Sequence, residues 1–354
     1  MAFLHFNNVG VAAMAGCVPK RVIDNYHYGL DLFQEEDVRK LVNKIGVFER
    51  RFAEENVCTS DLCQAAAERL IADNKVDRNE IDLLVLVTHS PDYKMPATSI
   101  LLQHRLGLPT STIAFDVSLG CSGFIYGLSI VYAMMERREL RKALLMVGET
   151  CGSKFFSRKD RTSAYLFGDA GVAALITKDT KYGESWFSLN SDGSASDLIM
   201  IPAGGFRNPS SLSTIEEKVV DDYGNIRSEE HGYMKGSKVF NFVMDEVPKD
   251  FERLATWSGQ DLHGLDYYAF HQANSLINSL LVKKLKLDPQ KVPSNIHKFG
   301  NTSSASMPLV IVSELKNKLA GKKQLLLSAF GAGMSWGTAL VPFVDCKISE
   351  IVEI

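Results

Sequence analysis

Residues Asp116–Gly123 read DVSLGCSG, and this segment joins a predicted buried strand, Thr112–Val117, to a predicted helix, Cys121–Arg137. A thiol at the start of a helix lies near the positive end of the helix dipole, which stabilises the thiolate and makes the cysteine more nucleophilic. Gly120 and Gly123 allow a sharp turn on either side of Cys121. The alternative is that Cys121 is a small buried residue that packs a tight turn.

The same alternation of strand-like and helix-like segments continues on both sides of Cys121, which predicts an α/β fold. Apolar runs predict strands at Asp82–Thr88, Thr112–Val117, Ala143–Val147, Leu265–Phe270 and Gln324–Ser328. Helical spacing of apolar residues predicts helices at Asp61–Asp73, Cys121–Arg137, Ser275–Lys286 and Ser304–Lys318.

Two glycine-rich segments indicate an internal duplication. Leu166–Leu175 reads LFGDAGVAAL and Ala329–Leu340 reads AFGAGMSWGTAL, and their separation is close to half of the 354-residue chain. We therefore expect two related halves, 1–185 and 186–354, although two unrelated glycine turns would give the same pattern. Residues 188–236 are rich in Ser, Asp, Gly and Asn without sustained periodicity, so we expect a long surface excursion there.

Composition excludes several classes of protein. A net charge of -3 gives no overall attraction for nucleic acid or for an anionic membrane, and no run approaches the roughly 20 apolar residues that span a bilayer. The N-terminal residues lack the pattern of a signal peptide. The six cysteines are widely spread without a C-x-x-C pair, so we expect reduced thiols, a cytoplasmic protein and no metal site.

Two further polar residues follow predicted strands or precede predicted helices. His271 lies in FHQAN, just after the strand at Leu265–Phe270, and Asn301 lies in FGNTSSASMP. Catalytic side chains of α/β folds usually converge at such strand-end loops. Taken singly, His271 could be a structural histidine and Asn301 a helix cap. The combination with Cys121 favours a shared catalytic site.

These segments resemble the β-ketoacyl synthase III (3-oxoacyl-acyl-carrier-protein synthase III) family of the thiolase superfamily. The matching motifs are FGDAG, GCSG, HQAN, GNTSSAS and GAGMSWG. The resemblance implies a duplicated five-layer α-β-α-β-α fold and a homodimer. It also implies an acyl thioester on Cys121, an oxyanion hole formed by the backbone N–H groups of Cys121 and Ala332, and donors from His271 and Asn301 to a malonyl thioester. Coenzyme A or acyl-carrier-protein thioesters would be substrates, and no cofactor would be needed.

By the same resemblance, substrate-side positions can be assigned and compared with the housekeeping enzymes. Arg161 and Asn274 match family residues, whereas Lys40 replaces the tryptophan that stacks on the adenine of coenzyme A, so a carrier protein could supply the primer instead. Met95 matches the residue that crosses the dimer interface and ends the partner's acyl pocket. The remaining assignment is a basic patch for the acyl carrier protein, formed by Lys283 and Lys284, although two lysines on a helix could equally be a solvated face.

Three functional hypotheses follow from these residues. The first is decarboxylative Claisen condensation of an acyl group with a malonyl-carrier protein, in fatty acid synthesis or a specialised acyl or polyketide pathway. The second is acyl transfer to an alcohol or amine with His271 as general base. The third is an inert partner subunit that keeps the fold without the chemistry, against which the intact set of Cys121, His271 and Asn301 argues.

Overall fold

Two large β-sheets lie at the centre of the computed structural model, which describes residues 2–137 and 139–354. The strands are β1 (Ala2–Asn7), β2 (Val9–Val18), β3 (Val22–Asp24), β4 (Glu49–Arg51), β5 (Ile81–Val87), β6 (Ile113–Val117), β7 (Lys142–Glu149), β8 (Ala170–Lys178), β9 (Glu184–Ser191), β10 (Ile199–Met200), β11 (Lys218–Val219), β12 (Ile226–Arg227), β13 (Tyr233–Met234), β14 (Tyr267–Phe270), β15 (Lys322–Gly331), β16 (Ser335–Val344), β17 (Lys347–Ile348) and β18 (Val352–Glu353). The helices are α1 (Glu35–Ile45), α2 (Thr59–Asn74), α3 (Thr98–Arg105), α4 (Gly123–Met135), α5 (Cys151–Lys154), α6 (Leu212–Ile215), α7 (Gly236–Ser258), α8 (Ser275–Lys284), α9 (Ile296–Phe299) and α10 (Ser306–Glu314).

Four neighbouring strands have the same arrangement in the two sheets. The N-terminal sheet has the order β17-β2-β8-β7-β5-β6, with β18 also paired to β2, and the C-terminal sheet has the order β1-β9-β16-β15-β14. In the first, β5 runs parallel to β7, and β7–β8 and β8–β2 are antiparallel. In the second, β14 runs parallel to β15, and β15–β16 and β16–β9 are antiparallel. The glycine-rich repeats therefore introduce equivalent strands, β8 and β16.

The sheets and helices form five layers. Helices α4 and α10 lie between the sheets and share one apolar core with the inner faces of both. Helices α2 and α3 cover the outer face of the N-terminal sheet, and α7 and α8 cover that of the C-terminal sheet. A helix between two sheets must be apolar on nearly every side, and α4 (GFIYGLSIVYAMM) has that composition. The predicted duplicated α-β-α-β-α fold is confirmed.

Close contact between α4 and the N-terminal sheet depends on a glycine. A Cβ atom at Gly127 would lie 2.7 Å from Val87 Cγ2 and 2.9 Å from a Leu145 methyl carbon. The missing side chain lets the helix approach β5 and β7. This contact fixes the helix start, and with it the preceding turn that carries Cys121.

The ends of the chain cross between the two sheets. Strand β1 pairs with β9 in the C-terminal sheet, whereas β17 and β18 pair with β2 in the N-terminal sheet. The main-chain N–H of Ile354 also donates to the carbonyl of Val18. The expected boundary at residue 185 falls at the second residue of β9.

The excursion begins later than we expected from the sequence. Residues 188–191 belong to β9, between β1 and β16, and only the segment from residue 192 to 235 leaves the sheet. The polar residues of β9 that suggested a loop are hydrogen-bonded inside the protein, since Ser188 Oγ donates to Asp250 Oδ1 over 2.5 Å and Asn190 Nδ2 to the same oxygen over 2.7 Å. The predicted helix at Ser304–Lys318 is also shorter than expected, because α10 ends at Glu314.

Candidate active site

Cys121, His271 and Asn301 line one cavity of about 310 Å³ between the two halves of the molecule. Loops at the ends of β5, β6 and β7 form one wall, and loops after β14 and β15 and before α10 form the other. Residues of the excursion, at 199–201 and 232–234, cover the cavity. The structure thus brings together three side chains that are 30 to 180 residues apart in the chain.

Cys121 lies in the turn between β6 and α4, two residues before the helix begins. Gly331, at the end of β15, packs directly against it, because a Cβ there would lie 2.6 Å from Cys121 Cβ and 3.3 Å from its sulfur. The Ser303 hydroxyl is 3.7 Å from the sulfur. Glycine at position 331 is therefore required to leave room for the thiol.

The electrostatics of Cys121 differ from our expectation of a stabilised thiolate. Cys121 keeps part of its surface open to the cavity, but the surrounding protein removes most of the water from the sulfur. This burial raises the pKa of the Cys121 thiol to about 11, although the contact with Ser303 acts in the opposite direction. The resting nucleophile is therefore a neutral thiol at pH 7.

His271 follows β14 and is almost fully buried. Its Nδ1 lies 2.6 Å from Ser306 Oγ, which also accepts a bond of 3.4 Å from the main-chain N–H of Gln272. Among the described residues, His271 Nδ1 is the only acceptor within reach of the Ser306 hydroxyl proton. Ser306 therefore donates to Nδ1, which assigns the ring proton to Nε2.

Burial also holds the His271 ring in its neutral form. It lowers the pKa of His271 to about 3. The ring meets Phe330 edge to face, with centroids 5.3 Å apart and an interplanar angle of 88°. His271 consequently offers an uncharged N–H donor at Nε2 throughout the physiological pH range.

The Asn301 amide is oriented by its own loop. Its Oδ1 accepts from the Ser303 N–H over 2.9 Å, and its main chain exchanges bonds with Leu166 and Gly168 of the FGDAG segment. Within residues 2–137 and 139–354, Asn301 Nδ2 has no hydrogen-bond partner. The amide is therefore fixed with its NH₂ group available to a ligand in the cavity.

The remaining predicted residues lie at different distances from this centre. Ala332 and Asn274 line the cavity, and Asn274 Oδ1 caps α8 by accepting from the Ile277 N–H over 2.8 Å. The main-chain N–H groups of Cys121 and Ala332 donate to no main-chain carbonyl in the described part of the chain. The turn that contains Gly331 and Ala332 packs against the main chain of Cys121, because a Cβ at Gly331 would be 3.3 Å from the Cys121 nitrogen.

None of the five other residues assigned by resemblance lines the cavity. Lys40 is exposed on α1 and pairs with Glu36 over 2.6 Å, and Arg161 approaches the same helix at Asp37 over 3.7 Å. Met95 precedes α3 and has 81% of its surface exposed. Lys283 and Lys284 lie at the end of α8, and Lys284 donates to the carbonyl of Met244.

Sequence reasoning missed three polar residues of the site. Ser303 and Ser306 lie inside the quoted GNTSSAS motif, but only the fold shows that they face Cys121 and His271. His89 also lines the cavity, and its position directly after the apolar run DLLVLVT is a signal that could have identified it.

The described residues contain no group of three or more His, Cys, Asp or Glu side chains arranged to hold a metal ion. All six cysteines are free thiols. None of the helices in the described ranges is long and apolar enough to cross a bilayer.

Family models, curated relatives and a solved structure all match this chain. Residues 115–193 match the sequence model for 3-oxoacyl-[acyl-carrier-protein] synthase III, and residues 256–343 match the model for its C-terminal part. The chain is 34% identical to the β-ketoacyl-[acyl-carrier-protein] synthase III of Clostridioides difficile, over 94% of this chain and 97% of that one. The corresponding protein of Aliarcobacter butzleri is 31% identical over 98% and 100%. A crystal structure of 3-oxoacyl-(acyl-carrier protein) synthase from Burkholderia xenovorans superposes with a TM-score of 0.92, at 34% identity and 100% and 99% coverage.

Proposed function

Since this chain belongs to the 3-oxoacyl-[acyl-carrier-protein] synthase III family and is a thiolase-fold condensing enzyme of fatty acid biosynthesis, we propose that it works through an acyl thioester on Cys121. Its two substrates would be an acyl thioester of coenzyme A or a carrier protein and a malonyl-carrier protein. This route is supported by the position of Cys121, His271 and Asn301, which all line one cavity.

In the first step, Cys121 sulfur attacks the carbonyl carbon of the acyl thioester. The oxyanion accepts hydrogen bonds from the N–H groups of Cys121 and Ala332, which donate to no main-chain carbonyl of the described residues. Since burial raises the pKa of Cys121 to about 11, its proton passes to the sulfur of the donor as the new carbon–sulfur bond forms. The tetrahedral intermediate then collapses to acyl-Cys121, and the donor leaves as a neutral thiol.

In the second step, the malonyl thioester carbonyl accepts bonds from His271 Nε2–H and Asn301 Nδ2–H. These donors stabilise the enolate that forms as carbon dioxide leaves. The enolate carbon attacks the acyl carbon, the new carbon–carbon bond forms as the bond from that carbon to Cys121 sulfur breaks, and the released thiolate takes up a proton from solvent. Two neutral donors suit this role because neither has to change its protonation state.

The geometry argues against acyl transfer to an alcohol or amine. That reaction needs His271 to accept a proton at the nitrogen that faces the cavity. Ser306 occupies Nδ1 as a donor and leaves Nε2 already protonated. The unpaired N–H of His271 and NH₂ of Asn301 also argue against an inert subunit.

Intact-protein mass spectrometry and carbon dioxide release from labelled malonyl-carrier protein test the two steps separately. Cys121→Ala should form no acyl adduct, whereas His271→Ala and Asn301→Ala should form the adduct but lose carbon dioxide release by about 100-fold or more. An adduct on another residue, or acyl transfer to added amines without carbon dioxide release, would contradict the proposal.

The proposed assembly is a homodimer through the free edge of the N-terminal sheet. Strand β6 ends that sheet, and its residue Ile113 is 44% exposed. Ile100 on α3 and Met95 before it are also exposed, and both lie in the chain segment that precedes β6. Pairing of two β6 strands would cover this apolar edge. By the family resemblance, Met95 would then reach the acyl pocket of the second copy.

The proposed protein partner is an acyl carrier protein. Lys283, at the end of α8, has no ion-pair partner in the described part of the chain, so it can meet an acidic helix. We place the reaction in the cytoplasm, where six free thiols stay reduced. No metal or cofactor takes part in the proposed steps.

A further inference from the structure

A second histidine forms part of the cavity wall beside Cys121. His89 follows β5, is half-buried and lines the cavity. A Cβ at Gly120 would lie 2.9 Å from His89 Nδ1 and 3.1 Å from Ser303 Oγ, so both groups reach the residue that precedes the nucleophile. The imidazole and the Ser303 hydroxyl thus face the same small region next to the sulfur.

The backbone of His89 is held firmly by a buried carboxylate. Its main-chain N–H lies 3.0 and 3.2 Å from the two oxygens of Glu149, which also accepts from the Ser90 hydroxyl over 2.7 Å. Glu149 is fully buried at the end of β7. The main chain that carries the imidazole is therefore held in a fixed position at the cavity wall.

The other thiol of this wall is not a second nucleophile. Cys151 Sγ lies 3.4 Å from a Glu149 oxygen and donates to it. Burial, and then the Glu149 charge, raise the pKa of the Cys151 thiol far above its ordinary value. Cys151 contributes only a small neutral surface, which leaves His89 and Ser303 as the polar groups that can bind an acyl chain here.

Neither group has an oxygen or nitrogen partner among the described residues. The His89 ring nitrogens make no hydrogen bond within the described ranges, and the Ser303 hydroxyl contacts only the Cys121 sulfur. Much of the surrounding wall is aromatic or aliphatic, including Phe155 and Phe156. An alkyl chain packed against this region would displace water from both polar groups and could not replace the hydrogen bonds that the water makes. A site of this kind discriminates strongly against substrates that lack the complementary polar group.

The acyl chain and the malonyl group should occupy opposite walls. His271 and Asn301 hold the malonyl thioester on the wall formed by the C-terminal half, so the acyl chain lies against the wall formed by the N-terminal half. From these contacts, and on the basis of the acyl-Cys121 route proposed above, we propose that the primer is an acyl group with a hydroxyl or keto oxygen on its second or third carbon. His89 on the N-terminal wall and Ser303, in the loop of the C-terminal half beside Asn301, bind that oxygen from two sides.

The test compares rates of acyl-Cys121 formation for the butanoyl, 2-hydroxybutanoyl, 3-hydroxybutanoyl and 3-oxobutanoyl thioesters of coenzyme A. In the unaltered enzyme, at least one oxygenated thioester should load about tenfold faster than butanoyl. His89→Phe keeps an aromatic ring without polar nitrogens and should bring that ratio close to one. His89→Gln retains a donor and should keep most of the preference.

The matched control is His104→Phe, an exposed position on α3 outside the cavity, which should keep the full ratio. Equal or faster loading of butanoyl in the unaltered enzyme overturns the inference, as does an unchanged ratio in His89→Phe. Loading of all four thioesters without discrimination overturns this inference alone. Absence of any adduct overturns the proposed acyl-enzyme route and this inference with it.

Discussion

At the scale of single residues, Ser306 determines what His271 can do. Its hydroxyl donates to Nδ1 over 2.6 Å, which leaves the proton of the ring on Nε2, facing the substrate. A free imidazole exchanges between both tautomers, and only one of them can donate to the malonyl carbonyl. Ser306 is therefore a positioning residue that acts through His271.

We expect Ser306→Ala to slow carbon dioxide release by about 5- to 10-fold, the loss of one hydrogen bond, while acyl-Cys121 forms at its normal rate. Nitrogen-15 NMR of the His271 ring should show the Nε2–H tautomer in the unaltered enzyme and a mixture in the variant. Ser304→Ala, which removes a neighbouring buried hydroxyl that does not contact His271, is the control. A single unchanged tautomer in Ser306→Ala would refute this role.

Cys121 should titrate as a buried thiol. Because its pKa is raised to about 11, the thiolate fraction should rise about tenfold per pH unit between pH 7 and 10. Iodoacetamide alkylation of the resting enzyme, followed by mass spectrometry with Cys121→Ala as background, should follow that slope. A plateau below pH 8 would mean that the helix dipole outweighs burial and stabilises the thiolate.

The sequence was sufficient to identify the three catalytic candidates but not the groups that tune them. Cys121, His271 and Asn301 each follow a predicted strand or precede a predicted helix, and such positions converge in an α/β fold. The contacts of Ser306 and His89 depend on where two loops meet, and no local pattern encodes that distance. The pKa of Cys121 was misjudged for the same reason, since its burial comes from residues remote in the chain.

At the scale of elements, the approach of α4 to β5 and β7 depends on Gly127. Gly127→Val should lower the free energy of unfolding by about 1–3 kcal/mol, because its side chain would overlap Val87 and Leu145. Thermal and urea denaturation would measure this change. Gly236→Val, at the start of α7 with nothing within 4 Å, should change stability much less. Equal losses in both variants would show that helix propensity, rather than packing, sets the cost.

Elements with a simple apolar pattern were predicted well. Strands β5, β6 and β7 lie within two residues of their predicted bounds, because each is a short apolar run. The predicted burial of β6 is wrong, because β6 forms the edge of the sheet and Ile113 is exposed. Strand β9 was missed since its Ser188 and Asn190 are buried against Asp250 and look like loop residues in the sequence. Helix α7 was also missed, although Val239, Val243 and Val247 repeat with helical spacing.

At the scale of the whole molecule, the exposed edge at β6 predicts the oligomeric state. Size-exclusion chromatography with light scattering should give twice the chain mass for the unaltered protein and the chain mass for Ile113→Lys, since two buried lysines would face each other across the new pair. Val219→Lys, on the exposed strand β11 of the excursion, should remain dimeric. A monomeric unaltered protein, or a dimeric Ile113→Lys, would argue against this interface.

The crossing of the chain ends means that neither half is self-sufficient. A fragment that stops after β8 would leave one side of β2 without the strands that normally border it, since β17 and β18 are encoded beyond residue 346. A fragment that starts at β9 would lack β1 and expose the backbone of its outermost strand. Each half of the chain thus supplies a border strand to the sheet of the other half, so exchanging halves between related enzymes would require moving the border strands as well.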